Sequence, residues 1–364
     1  MKLTIPRDSL AEAVAWAAHA LTQKPAVPVL TGLLVEAADC DELTISAFDY
    51  DTSRRISIGA DIAEPGKVLL PGRVLTEIVR ALPKKPVDLA LSGNEVTITC
   101  GSAEFGLLTM PVDDYPNLPD VPEPVGDVDG HAFAAAVAQV APASGRDETI
   151  PMLTGIHIDL DGDTLTLAAT DRYRIAARTL TWDPVAHTTA AAMIPGRTLA
   201  DIAKSLGAGP VTLGITDSLA AFTGAGRTTT IRLLDPQFID YNARLQLSDF
   251  SIWASVDAAN LAAAVKRVSL VAERNTAVRL AFRDGEVLVQ AGGNDIGRGA
   301  ELVDAELSGD DIHIAFQSQY LLDALNGVDG QARIGMVSPS RPALIVPPGD
   351  NPCYRHLAMS LRLS

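Results

Sequence analysis

Acidic pairs are the first residues of this sequence that could do chemistry. Asp49 and Asp51 are two residues apart, and Asp113 and Asp114 are adjacent. Paired carboxylates can carry out acid–base catalysis or hold a metal ion. Both pairs also lie where turns are expected, and aspartate favours turns because its side chain accepts hydrogen bonds from nearby backbone N–H groups. We therefore interpret them as turn residues.

The common catalytic motifs are missing from the sequence. It has no Gly-x-x-x-x-Gly-Lys-Ser/Thr, no Gly-x-Ser-x-Gly and no His-Glu-x-x-His. The isolated Gly-x-Gly at Gly224-Ala225-Gly226 leads into a predicted strand, so it indicates a hairpin turn and not a dinucleotide site. Cys40, Cys100 and Cys353 form no Cys-x-x-Cys pair, and the six histidines are scattered. We predict a protein that is not an enzyme and that binds neither metal nor cofactor.

The richest polar cluster is Thr170-Asp171-Arg172-Tyr173-Arg174, directly after a predicted strand. Arginine and tyrosine are enriched in binding surfaces. A charged strand end beside a helix is equally ordinary. From the residues alone both interpretations stay open.

Composition restricts the class of protein. The chain has 364 residues and 47% hydrophobic content, enough for two or three globular domains. Its apolar runs fall short of the ~20 residues of a membrane span, and no signal peptide is evident, so we expect a cytoplasmic protein without a membrane partner. The net charge of −16 argues against a tight static grip on DNA. A protein whose few cations share one surface would still fit.

One helical segment recurs along the chain. Residues 193–206 have a copy 124 residues earlier, at 69–82, and a fainter one that starts at Ile314. Apolar residues at i, i+3, i+4 and i+7 form one stripe of a helix. The stripes are Leu75, Ile78, Val79 and Leu82; Leu199, Ile202, Ala203 and Leu206; and Leu321, Ala324, Leu325 and Val328. The opposite faces carry Arg73 and Arg80, then Arg197 and Lys204, then Gln319 and Asn326.

A second helix opens each copy. Its stripes are Leu10, Ala13, Val14 and Ala17; Phe133, Ala136, Val137 and Val140; and Leu261, Ala264, Val265 and Val268. Extended runs follow, over 28–36, 152–160 and 277–282, and then further strands. Copies of this length are domains and not turns of a solenoid, so we predict an α+β fold with helices on one face. The predicted domains are 1–122, 123–247 and 248–364.

The whole chain resembles the β subunit of bacterial DNA polymerase III, the β sliding clamps, most closely the high-GC Gram-positive type. The matching segments are 1–5, Pro28-Val29-Leu30 with Gly32, 169–174, Val278-Arg279-Leu280 and 354–363. The resemblance implies three tandem copies of a DNA-clamp fold, each with two helices packed on antiparallel sheets. Two chains would associate head to tail into a ring of six domains around duplex DNA. Such a ring is a processivity factor that tethers the replicative polymerase.

The resemblance also assigns a DNA-facing surface. Helices would line the central channel and contact phosphates loosely, without reading sequence. The cations implied to face DNA are Lys24, Arg73, Arg80, Arg197, Lys204, Lys266 and Arg267.

A partner-peptide pocket between the second and third domains is implied as well. It would bind the polymerase III α subunit, the clamp loader and other proteins that carry a clamp-binding motif. By position its residues are Leu153, Thr170, Arg172, Tyr173, Arg174, Ile175, Ile239, Asn275, Leu357, Ala358, Met359, Ser360, Leu361 and Arg362.

The sequence departs from the family inside that pocket. Ile239 and Ser360 stand where the family usually has proline, and losing proline changes wall shape and backbone stiffness. One hypothesis is a specialised second clamp that resists a clamp-targeting cyclic peptide antibiotic; lineage drift explains the same departures. A further alternative is a peptide-binding scaffold that acts without DNA.

Overall fold

The computed structural model describes residues 1–22, 25, 27–38, 41–147, 149–235, 237–271, 277–292 and 297–362. Within these ranges the α-helices are α1 (Arg7–Ala18), α2 (Gly72–Ala81), α3 (Gly130–Val140), α4 (Pro151–Thr154), α5 (Gly196–Ser205), α6 (Ala258–Val268) and α7 (Ser318–Leu325). In the same described ranges, no helix has both the length and the apolar character needed to span a membrane. Lys24 and Asn275, both predicted site residues, and Cys40 lie outside the described residues.

The strands of the first half are β1 (Lys2–Ile5), β2 (Gly32–Ala37), β3 (Glu42–Phe48), β4 (Thr52–Gly59), β5 (Asp61–Glu64), β6 (Gly66–Pro71), β7 (Val87–Ser92), β8 (Glu95–Cys100), β9 (Ala103–Leu108), β10 (Pro124–Asp129), β11 (Gly155–Asp161), β12 (Thr164–Thr170) and β13 (Arg174–Thr181). The later strands are β14 (Asp183–Pro184), β15 (Thr189–Pro195), β16 (Pro210–Ile215), β17 (Leu219–Gly224), β18 (Arg227–Arg232), β19 (Ile252–Asp257), β20 (Ala277–Arg283), β21 (Gly285–Gly292), β22 (Arg298–Ser308), β23 (Ile312–Gln317), β24 (Gln331–Met336), β25 (Ala343–Val346) and β26 (Tyr354–Ala358).

One compact unit contains Met1–Gly130 together with Lys204–Leu233. A five-stranded sheet runs in the order β5-β1-β7-β8-β9, and eight further strands run β10-β16-β17-β18-β4-β3-β2-β6. Neighbours in both sets are antiparallel. Strand β18 comes from the second repeat and pairs with β4 of the first, so this unit does not end at a repeat boundary.

Arg227 reinforces that junction. It donates a hydrogen bond to the Ser205 carbonyl at 2.6 Å, forms an ion pair with Glu12 and lies over the Trp16 ring. Arg54 of β4 lies over the same ring, 5.2 Å from its centre. Cations on aromatic faces stabilise by about 0.5–1 kcal/mol each at exposed sites and more when desolvated.

The other compact unit contains His131–Ala203 and Leu234–Ser364. Its strands form one antiparallel sheet in the order β15-β11-β12-β13-β26-β25-β24-β19-β22-β21-β20-β23. Here too strands of two repeats meet, because β26 at the C-terminal end pairs with β13. Helices α6 and α7 cover a core that includes Leu261, Phe282 and Leu321.

The predicted helical stripes are confirmed. Every stripe residue is buried except Ile78, which is partly exposed. Burying an apolar stripe is the main source of helix stability in a protein. The three copies of the fold therefore follow from one repeated pattern.

Two predicted extended runs are wrong at their starts. Pro28–Thr31 forms a 3₁₀ helix and Pro151–Thr154 forms α4, and the strands begin only at Gly32 and Gly155. Proline suits the first turn of a helix because its φ is already helical. The closing threonines, Thr31 and Thr154, each donate a side-chain hydrogen bond to the carbonyl of the starting proline.

The turn predictions are confirmed. Ala225 and Gly226 both have positive φ and join β17 to β18, as a two-residue hairpin requires. Asp49 accepts hydrogen bonds from the backbone N–H groups of Asp51 and Thr52, at 3.0 and 2.6 Å.

Candidate DNA-facing helices and peptide groove

Cations lie on the exposed faces of three helices. Arg73 and Arg80 project from α2, Arg197 and Lys204 from α5, and the pair Lys266 and Arg267 from the last turn of α6. All six side chains are exposed, because each lies away from the buried stripe of its own helix.

Two of these cations are partly neutralised. Arg73 Nε donates to Glu77 Oε1 at 3.1 Å, and Arg267 Nε donates to Glu301 Oε2 at 2.9 Å. The hydrogen bond from Arg267 holds the pKa of Glu301 below its usual value and raises that of Arg267. Glu77 could have been found from its i+4 spacing. Glu301 could not, since it lies on a distant strand.

An apolar cluster sits beside the C-terminal strand. Its buried members are Ala168, Ile175, Ala177, Tyr241, Leu245, Leu344 and Val346, and its partly buried ones are Phe238, Ile239, Leu247, Phe250, Trp253 and Leu357. The predicted pocket residues Ile175, Ile239 and Leu357 are thus brought together. Tyr241 O–H donates to Asp159 at 3.1 Å, and burial raises the pKa of Tyr241 to about 12.

The turn after β12 is fixed by its own side chains. Asp171 Oδ1 accepts from the N–H groups of Tyr173 and Arg174, at 3.0 and 3.1 Å. Thr170 Oγ1 donates to the Arg174 carbonyl at 2.7 Å and accepts from the Arg172 N–H at 3.2 Å. Arg172 is held at φ +79°, a conformation that costs about 1–2 kcal/mol for a residue with a Cβ.

Arg174, predicted as a pocket residue, has its guanidinium engaged inside the protein. Nε lies 2.9 Å from Asp171 Oδ2 and Nη1 lies 2.5 Å from Asp323 Oδ2. The Pro142 carbonyl accepts from Nη2, and the cation lies 4.4 Å from the centre of the Tyr320 ring. Arg174 therefore positions the turn. Of the two interpretations left open for the cluster at 170–174, the structural one applies to the buried Arg174. Arg172 and Tyr173 are exposed, so the binding interpretation stays open for them.

The C-terminal segment, residues 358–362, forms the other wall of the candidate peptide groove, beside the apolar cluster and the turn after β12. The Met359 N–H donates to the Tyr173 carbonyl and the Leu361 N–H to the Ala315 carbonyl, both at 2.8 Å. These bonds leave the side chains of Met359 and Leu361 exposed by 42% and 37%. Arg362 is exposed, Ser360 is partly buried and Ala358 is buried.

A surface cavity of about 670 Å³ lies next to this wall. The predicted pocket residues Leu153, Arg172, Tyr173 and Arg174 line it, and so does Arg197, predicted to face DNA. Gln317, Tyr320 and Asp323 also line it and were missed, because nothing in the sequence connects them to a turn some 150 residues earlier. Among the described residues, no group of three or more His, Cys, Asp or Glu side chains could hold a metal ion.

Comparison with known proteins identifies this arrangement. Family models of the DNA polymerase III β subunit match at 1–119 (N-terminal domain), 127–240 (central domain) and 248–362 (C-terminal domain). The chain is 45% identical to the β sliding clamp of Streptomyces coelicolor, with both chains covered completely. It is 40% identical to the β sliding clamp homolog GriR of Streptomyces muensis, over 95% of this chain and 94% of that one.

A solved structure gives the same result. The DNA polymerase sliding clamp of Bacillus subtilis superimposes with a TM-score of 0.94 at 28% identity, and 100% of each chain is covered. The chain therefore belongs to the β subunit family of bacterial DNA polymerase III, and it is a sliding clamp of the high-GC Gram-positive type, a non-catalytic processivity factor of the polymerase.

Proposed function

We propose that two copies of this chain, each with domains 1–122, 123–247 and 248–364, close head to tail into a ring on DNA in the cytoplasm. A heterologous contact closes into a ring when its rotation permits. The ring would hold DNA by topology, and its cations would make loose phosphate contacts. The single observation that carries the proposal is that sliding clamps match this chain over its full length in sequence and fold.

Two open strand edges fit the contact between copies. Strand β9 ends its sheet and exposes Phe105 by 38% and Leu108 by 62%. In β22 only Ala305–Ser308 pairs with β19, so the preceding part has one unpaired side among the described residues, with Leu302 58% exposed. Exposed apolar edges pair with another chain unless they are covered. The proposed interface joins β9 of one copy to β22 of the other.

The DNA-facing residues of the proposal are Lys24, Arg73, Arg80, Arg197, Lys204, Lys266 and Arg267. The chain as a whole carries −16, so its outer surface would repel DNA while these cations attract the phosphates. This separation favours sliding over wrapping.

The peptide groove of the proposal is the apolar cluster with its turn and C-terminal wall. It would take an apolar anchor side chain from the polymerase III α subunit, the clamp loader and other replication or repair proteins, since apolar walls with a few placed polar groups suit such an anchor. The proposed groove also includes Asn275 and Arg362, which the family resemblance assigns to the pocket by their position.

Retention on DNA tests the ring. After loading by the clamp loader, the protein should remain on closed circular DNA through gel filtration and slide off the same DNA after linearisation. Equal loss from both forms would contradict the ring. If the protein binds clamp-motif peptides yet leaves both DNAs, it is the DNA-independent scaffold instead.

A second candidate is the specialised clamp that rejects a cyclic peptide antibiotic. Its supporting observations are the two departures from proline: Ile239 packs at the edge of the apolar cluster, and Ser360 has a buried Oγ with no hydrogen-bond partner among the described residues. Restoring proline at both positions should then raise antibiotic affinity at least tenfold while linear peptide affinity changes little. Equal effects on both ligands would leave only lineage drift.

A further inference from the structure

Three arginine side chains lie on the rim of the cavity beside the groove. Arg146, Arg172 and Arg197 all line it and all are exposed. Among the described residues, none of the three has a carboxylate within ion-pair distance. Two of the cavity's acids, Asp171 and Asp323, are taken up by Arg174.

Asp147 is the remaining described acid of the cavity. It accepts a hydrogen bond from Thr149 Oγ1 at 2.6 Å, and this bond is the main reason that its pKa is lowered; the charge of Arg172 adds a smaller effect. Three arginines thus share the cavity with one carboxylate that forms an ion pair with none of them among the described residues. On a chain of charge −16 this is a local surplus of positive charge.

Arg172 itself is in an unfavourable backbone conformation. Its φ of +79° lies in the left-handed region, where glycine would be accommodated without a steric penalty. The turn is already fixed by Thr170 and Asp171, so the arginine side chain contributes nothing visible to it. Strained residues of this kind mark sites where the side chain acts on something outside the fold.

The cavity wall suits a peptide better than duplex DNA. Tyr173 stacks against Tyr320, with ring centres 6.3 Å apart, and Leu153 adds an apolar surface. The Tyr173 carbonyl also holds Met359 of the groove wall, so the cavity and the groove share one side. A segment lying in the groove would pass the arginines within a few residues.

We propose that Arg146 and Arg172 recognise carboxylates that flank the apolar anchor of the docked partner peptide, while Arg197 remains assigned to DNA. The inference rests on the proposed peptide groove and adds a specificity to it. Arginine forms planar, two-pronged hydrogen bonds with carboxylates. Partners with an acidic flank would bind in preference to neutral ones.

Two synthetic peptides test this preference. Both carry the same Leu-Phe anchor, flanked on each side by Asp-Asp in one and by Asn-Asn in the other. Isothermal titration should show the Asp peptide binding about fivefold more tightly at about 50 mM NaCl, with the ratio falling toward one at about 500 mM as screening increases. Equal affinities at low salt would overturn the inference.

Variants locate the effect. In the double variant Arg146→Gln, Arg172→Gly the Asp-to-Asn affinity ratio should fall to about one, and glycine at 172 keeps the turn foldable. Arg283→Gln, which removes one exposed cation elsewhere, should leave the ratio unchanged. A ratio that persists in the double variant overturns the assignment to these arginines.

Two more outcomes are decisive. If neither peptide binds the unaltered protein, the groove proposal itself fails and the inference fails with it. If a single-stranded oligonucleotide loses affinity in the double variant while the Asp-to-Asn ratio is unaffected, the arginines serve nucleic acid and the inference is wrong.

Discussion

Arg174 Nη1 and Asp323 Oδ2 lie 2.5 Å apart and join a turn of the second repeat to helix α7 of the third. Both side chains are largely buried, at 9% and 14% exposure. Its other contacts are Asp171 in the same turn and the Pro142 carbonyl, so one guanidinium ties the turn to α7 and to the segment at Pro142.

Substitution Arg174→Met should therefore destabilise the protein strongly. It leaves two buried carboxylates without a cation, and breaking a buried pair in this way costs about 3–5 kcal/mol. Urea denaturation followed by tryptophan fluorescence measures the loss. Arg172→Gly, in the same turn, is the matched control and should not lower stability; an Arg174→Met variant as stable as its parent would contradict the structural role.

Removing the acids that neutralise two of the cations proposed to face DNA should strengthen DNA binding. Glu77→Gln and Glu301→Gln free Arg73 and Arg267, and each free cation adds about one counterion to the salt dependence of binding. Fluorescence anisotropy on duplex DNA at several salt concentrations measures this. Lys204→Gln should have the opposite effect, and an unchanged salt slope in all three variants would remove these residues from the DNA surface.

Stability should fall in mild acid because of His356. Complete burial, assisted by the charge of Arg174, lowers the pKa of His356 to about 3. Between the unfolded value near 6.5 and that folded value, only the unfolded chain takes up the proton, so the free energy of unfolding decreases as pH falls, by up to about 1.4 kcal/mol per unit. Urea midpoints from pH 7 to 4 give the slope.

The His356→Phe variant should show a shallower decrease over that range. Tyr354, whose O–H lies 2.8 Å from His356 Nδ1, supplies the control: Tyr354→Phe keeps the buried imidazole and should keep the slope. Identical slopes in His356→Phe and the parent would assign the acid sensitivity to other groups.

A charge placed on the open edge of β22 should abolish ring formation and leave peptide binding intact. Leu302→Asp puts a carboxylate where the proposed interface needs an apolar residue, and burying an unpaired charge is costly. Light scattering should then report monomers, and retention on circular DNA should vanish while clamp-motif peptides still bind. Val185→Asp, at an apolar residue that is 75% exposed and lies outside both proposed edges, should remain dimeric. A dimeric Leu302→Asp variant would place the interface elsewhere.

Local patterns in the sequence predicted the repeated fold well. Apolar stripes such as Leu199 to Leu206, and the hairpin at Ala225, depend on neighbours within a few residues, so periodicity and turn chemistry reveal them. Contacts between distant segments were not accessible. The partner of Arg174 is 149 residues away, and the partner of Arg267 lies on another strand.

The candidate site, like the fold, could be predicted from the sequence only in part. Position in the family placed Ile175, Ile239 and Leu357 in one groove, and the structure brings them together. It could not show that Arg174 is occupied internally, that Arg197 shares a cavity with Arg172, or that Tyr320 belongs there. These features arise from packing between segments that are distant in the sequence, which no single segment encodes.

The pairing of β18 with β4 has a practical consequence for dissecting this molecule. A fragment that ends at residue 122 lacks β18, so one edge of β4 would be unpaired. Such fragments would aggregate through that edge. A first-repeat fragment cut at the repeat boundary would therefore be insoluble. Biochemists who want a working portion should carry residues 204–233 along with the first repeat.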